Sequence, residues 1–204
     1  MPKSAPDVKK TRGGYLSGVL ILTVSNILVK FAGLFFKIPM NYAVGDAGMG
    51  YYNAAYSVYT LFYMIATAGL PVALSVMIAE ARAAGNVLGA KQIYRRAMLV
   101  FLAAGTGFSA LMLFGADAFA AFIRSEASAD AIRVSAPTVL FICVSSAVRG
   151  YFQGAGNMTP TAVSQLIEAS GKLVFGVAGA LWGIRMGYDT PAVAALAVLG
   201  LTLG

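Results

Sequence analysis

The sequence contains no histidine, one cysteine and few charged residues, since Asp, Glu, Lys and Arg make up 11% of its 204 residues. Without histidine, zinc sites that need one and His-based catalytic triads are excluded. The lone Cys143 rules out a disulfide framework within the chain. Soluble domains carry about 25% charged residues, so this deficit, beside 59% hydrophobic residues, predicts a protein of the lipid bilayer.

Long uncharged segments predict membrane-spanning helices. Residues 47–79 and 97–116 contain no Asp, Glu, Lys or Arg, and a spanning helix needs about 20 apolar residues. The pattern predicts an all-α membrane protein, a polytopic bundle of about six transmembrane helices behind a basic tail at 1–13. We predict helices at 14–40, 50–80, 92–115, 131–153 and 160–183, and an incomplete sixth from 190. Because the last apolar segment has 15 residues and no polar flank, we expect further helices from a continuation of the gene product or from a partner.

Basic residues alternate between the two predicted ends of the bundle. Cytoplasmic loops of membrane proteins are enriched in Lys and Arg, so the richer end is expected to be cytoplasmic. If the amino terminus is cytoplasmic, that side holds nine basic residues: Lys3, Lys9, Lys10, Arg12, Arg82, Lys91, Arg95, Arg96 and Arg149. The other side holds three basic residues and five of the eight acids: Arg124, Arg133, Arg185, Asp46, Asp117, Glu126, Asp130 and Asp189. Basic residues dispersed between apolar segments form no continuous stripe, which argues against a nucleic-acid partner.

Three predicted helices carry polar residues at membrane depth. The first helix places Asn26, Lys30 and Lys37 on one face, the fourth carries Arg149, and the fifth aligns Gln165, Glu168 and Lys172. An ammonium group in mid-membrane is unfavourable by about 2.5 to 3.5 kcal/mol on insertion scales, so these side chains predict a hydrated cavity. Three alternatives remain. Lys37 can extend to the outer headgroups, Glu168 and Lys172 can form a structural ion pair that joins helices, and Arg149 can be a topology anchor.

The second predicted helix has an aromatic face and an internal break. Tyr52, Tyr56, Tyr59 and Tyr63 recur at helical spacing, which suits either a packed aromatic seam or rings that stack on sugars. The segment Gly69-Leu70-Pro71 predicts a kink, and we predict a transport hinge at Gly69 and Pro71.

Several segments resemble a known family. They are Phe35-Phe36-Lys37-Ile38-Pro39, GDAGMGYY at 45–52, TAGLPVA at 67–73, GNVLGAKQIYRR at 85–96 and, most specific, RGYFQGAGNMTPTAVSQLIE at 149–168. The chain resembles the polysaccharide exporter branch of the multidrug/oligosaccharidyl-lipid/polysaccharide superfamily, especially its members like stage V sporulation protein B and the lipid II flippase.

The resemblance implies a fold of two six-helix lobes around a central cavity that opens alternately to each side of the bacterial cytoplasmic membrane. Residues 14–204 correspond to the amino-terminal lobe, and the carboxy-terminal lobe is missing. In the flippase relatives, cationic residues of the first helix bind the diphosphate of a lipid-linked sugar, and Lys30 and Lys37 are the matching positions. Lysine stands where the best-known flippases carry arginine, so bidentate phosphate binding is not expected.

These observations favour a flippase or exporter for a lipid-linked oligosaccharide or peptidoglycan precursor. Its partners are then the sugar diphosphate, membrane lipid, a second lobe and, in an ion-driven cycle, a monovalent cation. One alternative is an ion-coupled multidrug antiporter in which Glu168 binds the coupling cation. Another is a membrane scaffold for cell-wall synthesis that transports nothing. No catalytic acid pair or cofactor motif is found, so neither an enzyme nor a cofactor is predicted.

Overall fold

The computed structural model describes residues 8–203, and secondary structure within that range is helical throughout. Seven α-helices and one 3-10 turn follow in chain order: α1 Val8–Thr67, α2 Leu70–Ala83, α3 Val87–Phe114, α4 Ala116–Phe122, the turn Glu126–Ser128, α5 Ala129–Gly154, α6 Thr159–Arg185 and α7 Thr190–Leu203. The all-α prediction is confirmed. The short α4 and the turn after it were not predicted.

The basic tail predicted at 1–13 lies largely outside the described residues. Lys3 precedes them, and the side chains of Lys9, Lys10 and Arg12 are not described. The backbone is already helical from Val8, so α1 begins before residue 14, the start predicted from the apolar pattern. That pattern marks where the helix becomes apolar and not where it begins.

The long helix α1 folds back on itself at Gly45. This residue has φ 69° and ψ −178°, a conformation that favours glycine, and it divides α1 into a first arm, 8–44, and a second arm, 46–67. The rings of Phe36 and Tyr52 lie 5.4 Å apart, whereas sixteen residues of straight helix would separate them by about 24 Å. The two arms therefore form an antiparallel hairpin, as the two predicted helices 14–40 and 50–80 require.

The second predicted helix is divided where Gly69-Leu70-Pro71 occurs. The second arm of α1 ends at Thr67, and α2 begins at Leu70 with Pro71 in its first turn. The predicted interruption of the helix at this segment is confirmed, and it takes the form of a two-residue gap between α1 and α2. Because the first turn of a helix needs no amide partner, Pro71 starts a new helix instead of bending an existing one.

Helix α5 lies at the centre of the bundle. It packs against the hairpin of α1 and against α2, α3 and α7. In its most apolar 18-residue segment 56% of the residues are buried, against 17 to 22% in the other long spans. Gly150 and Gly154 lie directly against α2. A Cβ atom at Gly150 would lie 2.8 Å from the carbonyl oxygen of Pro71, and one at Gly154 would collide with the carbonyl oxygen of Ser75. The absence of side chains at both positions allows α2 to approach α5 closely.

Four helical stretches in the described range are long and apolar enough to cross a membrane: Leu20–Ala83, Val87–Phe114, Glu126–Gly154 and Thr159–Arg185. The first of them contains the hairpin at Gly45, so it supplies two passes. Helix α7 is apolar but has 14 residues, fewer than the roughly 20 of a full span. The chain is a multi-pass membrane protein.

Candidate functional site

The polar faces of α1, α5 and α6 meet at one cavity of about 450 Å³. The first arm of α1 contributes the face that carries Asn26 and Lys30, and α6 contributes the face that carries Glu168. Helix α5 contributes Arg149 near its end. Six of the seven residues predicted to bind substrate line this cavity: Asn26, Lys30, Arg149, Gln165, Glu168 and Lys172. Helical spacing could predict the face of each helix, and tertiary packing brings the three faces together.

Lys37 is the seventh residue, and it lies elsewhere. It lines a shallow groove near the Gly45 turn with Ile38, Asn41, Tyr42 and Met49. Lys30 and Lys37 share a helix face, but seven residues separate them by about 10 Å along the axis. Between them, the buried Phe36 packs against Tyr52 of the second arm and forms part of the cavity wall. The structure thus favours the alternative in which Lys37 extends towards the membrane surface.

Arg149 forms an ion pair with Glu168. Its Nη2 donates to Glu168 Oε2 at 2.7 Å, and its Nε donates to Ser164 Oγ at 2.9 Å. The Ser164 hydroxyl in turn donates to the carbonyl oxygen of Thr161 at 2.9 Å. Ser164 lies one turn before Glu168 on the same face of α6, a spacing that the sequence analysis did not use. Arg149 is therefore more than a topology anchor, because it joins α5 to α6.

The ammonium group of Lys172 contacts two aromatic rings. Its Nζ lies 4.4 Å from the ring centroid of Tyr56 and 5.4 Å from that of Phe36. The alternative of a Glu168–Lys172 ion pair is wrong in its partner, since Glu168 pairs with Arg149 across two helices. Cation–π contacts stabilise an ammonium group by about 0.5 to 2 kcal/mol, and Glu168, one helical turn before Lys172, attracts it electrostatically without forming an ion pair with it.

The four tyrosines of the second arm form a continuous row. Adjacent ring centroids from Tyr52 to Tyr63 lie 6.0, 5.7 and 6.0 Å apart. Tyr52 and Tyr59 are buried, which confirms the packed seam. Tyr56, Tyr59 and Tyr63 also line the cavity, so the seam and the cavity wall are the same surface.

Among the described side chains, those that line the cavity and carry a charge are three cations and one carboxylate. Side chains are described for residue 18 and for residues 20–203. Within this range, no carboxylate lies within ion-pair distance of Lys30 or Lys172. The same range contains no group of three or more His, Cys, Asp or Glu side chains arranged to hold a metal ion. The remaining wall is largely apolar and includes Phe36, Met64 and Leu201. Such a cavity attracts an anionic group attached to a larger amphiphilic molecule.

Comparison with known proteins relates the chain to membrane transporters. A family model described as polysaccharide biosynthesis protein matches residues 15–203. Stage V sporulation protein B of Bacillus subtilis (strain 168) is 32% identical over 155 residues, which cover 76% of this chain and 30% of that protein. Lipid II flippase MurJ of the same organism is 29% identical over 169 residues, 78% of this chain and 31% of the flippase. The chain thus spans about a third of the length of these relatives.

A solved structure shares the fold. It is a MOP superfamily transporter from Pyrococcus furiosus, which superposes with a TM-score of 0.67 at 18% sequence identity and covers 98% of this chain. The match extends over 45% of that transporter. At this level of identity the likeness concerns the arrangement of helices.

Proposed function

The chain belongs to the polysaccharide biosynthesis protein family, and from that premise we propose that it moves a lipid-linked sugar diphosphate across the cytoplasmic membrane by alternating access. The observation that carries the proposal is the pair of lysines, Lys30 and Lys172, in an apolar-walled cavity without acidic partners in the described side chains. A diphosphate supplies the missing negative charge. The polyprenyl tail of such a molecule stays in the surrounding lipid while the cavity shields the headgroup.

The name of one relative supports this substrate class. That relative is named a lipid II flippase, and lipid II is a polyprenyl diphosphate sugar. The cavity described above is positive, which suits the same chemistry. A second lobe, from the same gene product or from a partner, completes the transport path in this proposal, since the chain spans 45% of the solved transporter.

The geometry gives less support to an ion-coupled antiporter. In that mechanism the carboxylate of Glu168 would bind a cation, but Arg149 Nη2 lies 2.7 Å from its Oε2. A fixed guanidinium at this distance repels a second cation. The proposal therefore assigns Glu168 to the anion site, and it assigns no enzymatic step to the cavity. A scaffold without transport activity would bind no sugar diphosphate, and the experiment below distinguishes that alternative.

Lys30 and Lys37 form a matched pair for this experiment, because they are the same residue type on the same helix. Lys30→Ala is expected to lower the affinity for a polyprenyl diphosphate sugar about tenfold, the value of one lost charge-assisted contact. Lys37→Ala is expected to change it less than about twofold, because Lys37 lines a separate groove and not the cavity. Binding is measured by microscale thermophoresis of the full-length protein in lipid nanodiscs, and flipping by a fluorescent headgroup assay in proteoliposomes. Equal losses in both variants, or none, would remove the proposed site.

The proposed orientation places the amino terminus in the cytoplasm. Gly18 lies beside Met158 at one end of the bundle, and Gly48 lies beside Thr190 at the other. The basic residues of the α2–α3 connection, Arg82 and Lys91, belong to the first end in this scheme. In the variant Lys91→Cys, the new thiol should react with an impermeant maleimide only after cell disruption. Reaction in intact cells would reverse the proposed orientation.

Alternating access requires a flexible point, and we place it at the break between α1 and α2. Gly69 lies in open space, so an added methyl group meets no atom within 4 Å, and the same is true of Gly107 in the middle of α3. Gly69→Ala is expected to slow flipping several-fold with unchanged substrate affinity, because alanine narrows the backbone freedom of the hinge. Gly107→Ala is the matched control and should leave the rate unchanged. Equal rates for wild type and Gly69→Ala would contradict the hinge.

A further inference from the structure

Arg149 differs from the other two cations of the cavity, Lys30 and Lys172, because it already forms an ion pair with Glu168. Its side chain is 14% exposed, whereas that of Glu168 is 36% exposed. The guanidinium is also fixed from the other side by the Ser164 hydroxyl, which is itself bonded to the backbone of α6. The arginine is thus held by contacts at two points, to Ser164 and to Glu168. The carboxylate is the more exposed member of the pair and borders the cavity.

The guanidinium retains donors for a further ligand. It has five N–H groups, and two of its nitrogens make the contacts to Glu168 and Ser164. Phosphate oxygens fit the planar fork of a guanidinium, and they form shorter and stronger hydrogen bonds with it than neutral acceptors do. Carboxylate and phosphate are both charged acceptors that fit this fork, so a phosphate group can take the place of the carboxylate on Arg149.

We propose, on the basis of the proposed function, that Glu168 is a displaceable counter-ion and that a bound diphosphate takes its place on Arg149. In the empty cavity Glu168 lowers the repulsion among three cations. When the cargo enters, Lys30 and Lys172 attract it, and Arg149 exchanges the carboxylate for a phosphate. Glu168 thereby becomes a specificity-determining residue of the anion site.

The exchange selects by ligand chemistry. A simple carboxylate gains nothing over Glu168, because Glu168 is tethered beside Arg149 at a high effective concentration. A diphosphate contacts the lysines and the arginine together, so it overcomes that competition. The internal carboxylate thus discriminates against small singly charged anions, which is specificity by competition.

Titration calorimetry with inorganic pyrophosphate, on the full-length protein in nanodiscs of zwitterionic lipid, tests the exchange. Glu168→Gln is expected to bind pyrophosphate about tenfold more tightly than wild type, a typical size for coupling between two ligands of one group. Glu80→Gln, the same substitution at an exposed position on α2, should leave the affinity unchanged. Glu168→Asp keeps the charge on a shorter side chain, and it should give a smaller gain of the same sign.

A double variant separates displacement from a general effect of charge. When Glu168→Gln is introduced together with Arg149→Gln, the gain in affinity for pyrophosphate should disappear. The guanidinium that Glu168→Gln would free is then absent. The proposal is overturned if Glu168→Gln binds pyrophosphate no more tightly than wild type, or if the gain persists in the double variant. These outcomes leave the proposed function intact, since that function depends on Lys30. Absence of pyrophosphate binding in wild type and in every variant would instead overturn both.

Discussion

A variant in which Lys30 and Lys172 are both methionine is expected to bind a polyprenyl diphosphate sugar about 100-fold more weakly than wild type, since each lost charge-assisted contact is worth roughly a factor of ten. Both residues line the cavity, and among the described side chains neither has an acidic partner. Methionine keeps an unbranched apolar stem of similar length and can place its thioether beside the rings of Phe36 and Tyr56, while the cation–π contacts of Lys172 are lost together with its charge. The loss then reports on charge and not on packing.

The control removes the same amount of charge outside the cavity. Lys91 and Arg95 are exposed near the start of α3, and neither lines the cavity. Lys91→Met with Arg95→Met should weaken binding by less than about threefold, because exposed charges are screened by salt beyond about 10 Å. Similar losses in the two double variants would mean that net charge governs binding, and the cavity would lose its assigned role.

The second large effect concerns stability. Arg149→Met is expected to lower the free energy of unfolding by about 2 to 3 kcal/mol, because it leaves the Glu168 carboxylate in the cavity without its partner. The value is below the roughly 3 to 5 kcal/mol of a fully buried broken ion pair, since the Glu168 side chain is 36% exposed. Denaturant unfolding of the detergent-solubilised protein, followed by tryptophan fluorescence of Trp182, measures it.

The companion variant combines Arg149→Met with Glu168→Met. Replacing both members of an ion pair by apolar residues of similar size is often neutral, so this double variant should recover most of the lost stability. A double variant as unstable as Arg149→Met alone would assign the effect to the packing of the arginine stem. That result would also weaken the basis for treating Glu168 as a counter-ion.

Much of this architecture is predictable from the sequence because local patterns determine it. Uncharged segments predicted the spans, and the gap left between the predicted helices 14–40 and 50–80 contains Gly45, where the chain folds back. Polar residues at helical spacing predicted six of the residues that line the cavity. The family assignment from the segment 149–168 is confirmed by the match to residues 15–203.

The parts that failed depend on contacts between helices. Helical spacing alone favoured Lys172 as the neighbour of Glu168, whereas the register of α5 against α6 brings Arg149 to within 2.7 Å of it. Lys37 shares a face with Lys30, but the packing of Phe36 against Tyr52 separates it from the cavity. The sequence pattern specifies a direction around each helix axis. Depth along the axis and the identity of the neighbour come only from tertiary packing.

The close approach of α2 to α5 has a mechanical consequence. Pro71 lies two residues after Gly69, and its carbonyl oxygen lies against Gly150, the residue that follows Arg149 in the chain. In the proposed transport cycle, a rotation of α2 about Gly69 would press the Pro71 carbonyl against the backbone beside Arg149. Movement at the proposed hinge would then be coupled to the position of the arginine in the cavity. A side chain added at Gly150 would separate α2 from α5, and that coupling would be lost.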